Sequence, residues 1–166
     1  MTTSLASAWR PRGELPRFKK LLPQLRDAYV SIAISLPPDV DPEIVRALEA
    51  LGVCISATQD WSHGRHAALH KALESQSDFI HYCDFDRLLH WVGTQPNEWR
   101  EIVSKIPSTD CTIVGRTEVA YRTHPQALVQ TEAISNAVVS YLLDRTIDVS
   151  AGSKAFSRRS GISDGA

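Results

Sequence analysis

The stretch DFIHYCDFDR, from Asp78 to Arg87, decides the reading of this chain. DFIHYCDF has the length and composition of a buried strand, and it closes in two acids, Asp84 and Asp86, before the helical turn RLLHWVG. A strand that ends in polar residues and passes directly into a helix is the repeating unit of an α/β domain. The sequence upstream shows the same alternation. Phe18, Leu21, Leu22 and Leu25 recur at helical spacing between Leu15 and Ala28, with Pro16 near the start. YVSIAISL, ended by Pro37 and Pro38, is an alternating β-branched run and reads as a strand. Asp41-Pro42-Glu43 supplies a cap, a first-turn proline and an early acid for a helix bearing Ile44, Val45, Leu48 and Leu51, which Gly52 stops. VCISATQ is the next strand, and Ser62 or His63 opens a helix carrying Ala67, Leu69, Ala72 and Leu73.

Downstream, NEWREIVSKI reads as a helix with Trp99, Ile102 and Val103 inward, and DCTIVGR as a fourth strand. A long helix runs from about Gln126 to Leu143, before the Gly-containing stretch IDVSAGSKAFSRR. Residues 1–14 read as a short strand with a loop or as a loose terminus, and 159–166 as a loose end. The alternation predicts a three-layer α/β/α domain with a mostly parallel sheet, whose ligands bind at the carboxyl ends of the strands.

At 166 residues the chain is the size of one domain, and 43% hydrophobic with 22% charged residues places it among globular chains rather than disordered ones. A formal net charge of -1 argues against nucleic acid as a partner. Cys54, Cys83 and Cys111 lie in or beside apolar runs, and their odd number implies buried, reduced thiols. No apolar run is long enough to span a bilayer, and MTTSLASAWRPR lacks the apolar core of a signal peptide. A cytoplasmic location is the expectation.

Asp84 and Asp86 are the chief candidates for chemistry. In extended chain, residues two apart share a face, and two convergent carboxylates make a hard oxygen site for Mg²⁺ or Mn²⁺ that a diphosphate completes. The competing reading has Asp86 capping the following helix while Asp84 accepts backbone hydrogen bonds in the turn. His66 and His70 stand four apart, with His63 and Glu74 one turn to either side, a spacing that suits zinc. Ala67, however, stands where a hydrolytic zinc helix carries its acid. His81 reads as a hydrogen-bonded core histidine, and Trp91 and Trp99 as core and interface aromatics. Arg116, Arg122 and Lys154 are candidate phosphate partners, Arg116 the favoured one. The sequence contains no nucleophile elbow, Walker phosphate loop or G-x-G-x-x-G fingerprint.

The segment HGRHAALHKALESQSDFIHYCDFDR resembles the middle of family-two glycosyltransferases of the GT-A fold, including dolichyl-phosphate-mannose-synthase-like members. There a Gly-containing, Ala-rich helix leads into a strand ending in D-x-D, which Asp84 and Asp86 match. DCTIVGRTE resembles the family strand that begins with Asp and ends in a Gly-Ser-Arg-like turn, so Gly115 and Arg116 correspond. The stretch from Glu132 through Asn136 to IDVSAGSKAFSRR resembles the next helix and an Asp-x-x-x-Gly-x-x-x-Phe-x-Arg segment, fitted by Asp148, Gly152, Phe156 and Arg158. Asp39 and Asp41 stand for the acids after the second strand.

The resemblance, covering Tyr29 to Arg158, implies a metal-dependent transferase moving a sugar from a nucleotide-diphosphate donor to an unknown acceptor. Asp84 and Asp86 would hold Mg²⁺ or Mn²⁺, while Asp39, Gly64, Arg65 and Gly115 would lie near the donor. Arg116 would assist electrostatically, and Asp148 would be a candidate base. The family's Pro-x-x-Asn ending of the first strand is missing, and little chain follows the Gly-Ser-Lys segment. These departures imply an alternative, a non-catalytic nucleotide-binding or interaction module; a zinc-dependent hydrolase is the third reading. An apolar edge on an incomplete domain would need a partner to cover it, and a homo-oligomer is one such association.

Overall fold

The structure, a computed structural model, describes residues 1–58, 60, 63–118 and 126–161. Ser62, Arg122 and residues 162–166 therefore lie outside the described residues. The strands are β1 (Thr3–Ala8), β2 (Ser31–Leu36), β3 (Cys54–Ala57), β4 (Phe79–Cys83), β5 (Cys111–Ile113) and β6 (Ser153–Ser157). The helices are α1 (Leu15–Ala28), α2 (Pro42–Ala50), α3 (Gly64–Leu73), α4 (Phe85–Thr94), α5 (Pro96–Lys105), α6 (Gln126–Leu142) and the short α7 (Arg158–Gly161).

The fold is α/β around a mixed six-stranded sheet of order β3-β2-β1-β4-β6-β5. β1 pairs in parallel with β2 and β4, and β2 with β3. β6 runs antiparallel to both β4 and β5, so the sheet is mixed where uniform alternation predicts a mostly parallel one. β6 comes from the Gly-containing stretch, in which the sequence shows no strand. Its residues SKAFS include no β-branched side chain, so pairing rather than propensity makes it extended.

Helices cover both faces of the sheet. On one face Leu5, Ile34 and Cys83 join a core with Phe18, Leu22 and Leu25 of α1, Phe85 and Leu88 of α4, and Trp99 of α5. The other face is built from small residues: Ala6 and Ala33 of the strands meet Ala68 and Ala72 of α3, beside Ile80 and Tyr82. α2 forms as its sequence implies, with Asp41 Oδ1 accepting from the Glu43 amide at 2.8 Å. Gly52 just beyond it adopts φ +65°, the left-handed conformation that ends helices.

One open reading is decided and one expectation changes. Of the two readings of the amino-terminal segment the strand holds: β1 lies between β2 and β4, with Ser4 and Ser7 fully buried. Of the cysteines only Cys83 is buried; Cys54 and Cys111 are exposed because β3 and β5 are the two edges of the sheet. α6 leaves Ile134, Val138, Tyr141 and Leu142 exposed. Among the described residues no helix is long and apolar enough to cross a membrane.

Candidate functional site

β1 is flanked by β2 and β4. The chain first winds outward from β1 to β2 and β3, then returns through α3 to β4 on the opposite side of β1. In open α/β sheets, ligands bind in the crevice outside the strand carboxyl ends where winding reverses. A cavity of about 480 Å³ occupies that place, between the ends of β1 and β4. Ala8, Trp9, Arg10, Arg12 and Glu14 line it after β1; Arg65, Tyr82, Asp84, Phe85 and Asp86 line it from α3, β4 and α4.

Asp84 and Asp86 both face this cavity, though not as extended-chain neighbours. β4 ends at Cys83, Asp84 occupies the cap position of α4, and Asp86 lies in that helix's first turn. The capping alternative also changes, since Asp84 holds the cap position and its side chain makes no cap hydrogen bond. The acids share the cavity because the amino end of α4, with its positive dipole end, opens onto it.

Asp84 is held from several directions. Its Oδ1 accepts from the Tyr82 hydroxyl at 2.8 Å, and Arg65 Nη2 lies 3.3 Å from the same oxygen. Burial, and then the charge of Asp84, push the Tyr82 pKa far up, so the hydroxyl stays protonated and donates. The Asp84 amide donates to the Gly152 carbonyl at 2.8 Å. A Cβ at residue 152 would lie 2.4 Å from Asp84 Oδ2, so glycine alone fits beside this carboxylate. Asp86 Oδ1 accepts from the Arg87 amide at 2.9 Å.

The wall after β1 was not among the candidates read from sequence. Trp9 is 3% exposed and stacks on Phe85 with centroids 4.3 Å apart. Glu14 accepts from Trp9 Nε1 at 3.2 Å and from the Arg12 amide at 2.6 Å. Burial opposes ionisation of Glu14, yet its hydrogen bonds outweigh burial and its pKa falls. Arg10 pairs with Asp39, beyond the end of β2, at 3.1 Å, and Asp39 itself does not line the cavity. Reading TTSLASA as a full strand would have exposed this wall, because strand-end placement then selects Trp9 to Glu14. Gly64 and Arg65 stand at the start of α3, where Gly64 is buried against Ala8.

The remaining candidates meet one another in a second cluster. Arg116 Nε and Nη2 donate to Asp148 at 2.8 and 2.7 Å, and Nη1 donates to Glu132 at 2.6 Å. Asn136 Nδ2 also donates to Asp148, at 2.8 Å, and Gly115 packs against the Asp148 Cβ. The Arg116 hydrogen bonds bring the Asp148 pKa down to about 2 against the opposing effect of burial. The Arg116 pKa moves up, chiefly through the same hydrogen bond to Asp148. The guanidinium thus points at carboxylates of its own chain, where sequence reading had it at phosphate. Asp148, held ionised to low pH, is a poor proton acceptor. Lys154 stands opposite Tyr82 in the β4–β6 ladder, with Nζ donating to the Ala151 carbonyl at 2.8 Å. Burial, then the positive charge of Arg65, lower its pKa.

The four side chains of the zinc reading are not gathered around one point. His63 Nδ1 meets Asp60 at 2.7 Å, Glu74 is bonded to Lys71 at 2.7 Å, and His66 and His70 meet each other. Among the described residues no group of three or more His, Cys, Asp or Glu side chains is placed to hold a metal. His81 is fully buried, as its place in an apolar strand implies, and bonds Tyr29 and Ser153. Comparison of the chain with protein-family models, with curated proteins and with solved structures finds no match.

Proposed function

We propose that this domain, of GT-A type, binds a nucleoside diphosphate sugar in the crevice between β1 and β4 and transfers the sugar to an acceptor. The observation that carries the reading is the lining of one switch-point cavity by three carboxylates, Glu14, Asp84 and Asp86, and three arginines, Arg10, Arg12 and Arg65. A diphosphate and a divalent cation together complement such a mixed lining. The residues fit Mg²⁺ or Mn²⁺: both aspartate side chains offer hard oxygens, and the absence of a Cβ at Gly152 gives the Asp84 carboxylate the room it occupies at the cavity. Asp84 and Asp86 would hold the ion, whose chemistry when bound is to neutralise charge growing on the diphosphate leaving group.

The chain's own residues do the rest. Tyr82 and Arg65 fix the Asp84 carboxylate, so little reorganisation accompanies binding. Arg10 and Arg12 bring positive charge to the side of the cavity where the phosphates lie. Arg116, Asp148 and Glu132 brace the segments flanking β5 and β6 rather than touch the donor. A binding module without turnover is the second reading, favoured by the engagement of the Asp148 carboxylate with Arg116 and Asn136, which leaves it badly placed to act as a base.

Calorimetric titration of uridine and guanosine diphosphate, with Mn²⁺ and with excess chelator, tests the proposal. Binding of at least one nucleotide only when the cation is present is the expected result. Replacing both acids by Ala removes the cation dependence, and Gly152→Ala weakens Mn²⁺-dependent binding by about tenfold or more by displacing Asp84. Equal affinity in chelator removes the metal role, and no binding of any nucleotide removes the reading itself. Release of nucleoside diphosphate from a panel of nucleotide sugars, with and without acceptors, separates the transferase from the module.

A further inference from the structure

Away from the crevice, His66 and His70 stand one turn apart on α3, both exposed to solvent. Their Nε2 atoms are 3.0 Å apart, with ring centroids 4.2 Å apart and the rings inclined at 67°. An ion bound by two imidazole nitrogens at about 2.05 Å holds them ~2.9 Å apart at a right angle, and ~3.3 Å apart at a tetrahedral angle. At 3.0 Å the two nitrogens are within hydrogen-bond distance of each other, and an ion bridging them with little movement of the rings would take them at the right-angled edge of a tetragonal or octahedral shell, the geometry of Cu²⁺ and Ni²⁺.

We propose that His66 and His70 form a two-nitrogen site for a late first-row divalent cation, taking Cu²⁺ or Ni²⁺ ahead of Zn²⁺, with water completing the shell. Glu74, one turn further on, is drawn to Lys71, and His63, one turn earlier, to Asp60, so the site consists of the imidazole pair. Its nitrogen donors select against Mg²⁺ and Mn²⁺, which prefer the carboxylate oxygens of Asp84 and Asp86. The site is thus chemically separate from the crevice and independent of the nucleotide reading. An ion bridging the two rings clips one turn of α3, the helix that begins with Gly64 and Arg65, and stabilises the folded chain by binding it preferentially.

The test uses the full chain with Cys54→Ser and Cys111→Ser, which removes the exposed thiols as competing ligands. Calorimetric titration with Cu²⁺, Ni²⁺, Zn²⁺ and Mg²⁺ reads affinity and stoichiometry, and electron paramagnetic resonance of the Cu²⁺ form reads bound nitrogens. The expected result is one Cu²⁺ per chain with two nitrogen couplings, Cu²⁺ and Ni²⁺ binding more tightly than Zn²⁺, and Mg²⁺ most weakly. His66→Asn and His70→Asn each weaken Cu²⁺ and Ni²⁺ binding by about tenfold or more, while His63→Asn leaves it within about twofold. Because both rings are exposed, the variants retain the fold, which circular dichroism checks. Unchanged binding in the His66→Asn/His70→Asn double variant overturns the site, as does an equal loss in His63→Asn or Mg²⁺ binding as tight as Cu²⁺.

Discussion

Asp148 accepts from the Arg116 amide and guanidinium, 32 positions earlier, and from Asn136. Their side chains are only 11% and 16% exposed, so the pair is more than a solvated surface bridge. Asp148→Asn should destabilise the protein by roughly 2 kcal/mol in urea denaturation, because Arg116 then keeps its charge in a partly buried place without its main partner. The folded pKa, about 2, lies below the unfolded one. The stabilisation is therefore present above about pH 4 and is lost as pH falls towards 2, amounting to roughly 1–2 kcal/mol after allowance for solvent screening. The difference between wild type and variant should narrow across that window. From sequence, Arg116 and Asp148 carried separate chemical roles. Their union depends on β5 and β6 lying side by side, which no local pattern expresses.

α3 approaches β1 and β2 through alanines. Ala68 and Ala72 are fully buried against Ala6 and Ala33, and a Cβ at Gly64 would meet the Ala8 Cβ at 3.5 Å. Ala68→Leu should cost about 1–3 kcal/mol, seen as a lowered urea midpoint, because the added carbons must push the helix off the sheet. The same shift moves Arg65 relative to Asp84. Elements differed in how plainly the sequence announced them. α2 was legible to its ends, since Asp41, Pro42 and Gly52 act within a few residues of one another. β1 and β6, TSLASA and SKAFS, are small and hydroxylated, and their extended form comes from the strands that pair with them.

Across the whole molecule, a buried chain of hydrogen bonds ties distant elements together. Trp99 Nε1 of α5 donates to the Tyr29 hydroxyl at 3.2 Å, that hydroxyl meets His81 Nδ1 of β4 at 2.7 Å, and His81 Nε2 meets Ser153 Oγ of β6 at 2.8 Å. Burial lowers the His81 pKa to about 4. The unfolded chain binds this proton below about pH 6.5, and the folded one only near pH 4. Stability is therefore full above about pH 6.5 and falls as pH drops towards 4, by up to ~3 kcal/mol. Urea midpoints at pH 7, 5.5 and 4.5 should show this slope in wild type and a flatter one in His81→Gln, measured as the difference between the two. An equal slope in both would assign the acid sensitivity to other groups.

The sequence by itself determined the α/β class, most helix positions, a core histidine at His81 and an acidic pair at the end of an apolar strand. These features are written in periodicity, capping and composition, which act over one or two turns of chain. Tertiary structure alone decided the reversed direction of β6, the turn into α4 that separates Asp84 from Asp86, and the wall from Trp9 to Glu14. It also decided the contact of Gly152 with Asp84 and the joining of Arg116 to Asp148. The physical reason is that each depends on which strands pair and how closely small residues let layers approach. Those quantities are set between segments far apart in the chain, and residues such as Ser, Ala and Gly carry little local signal of them.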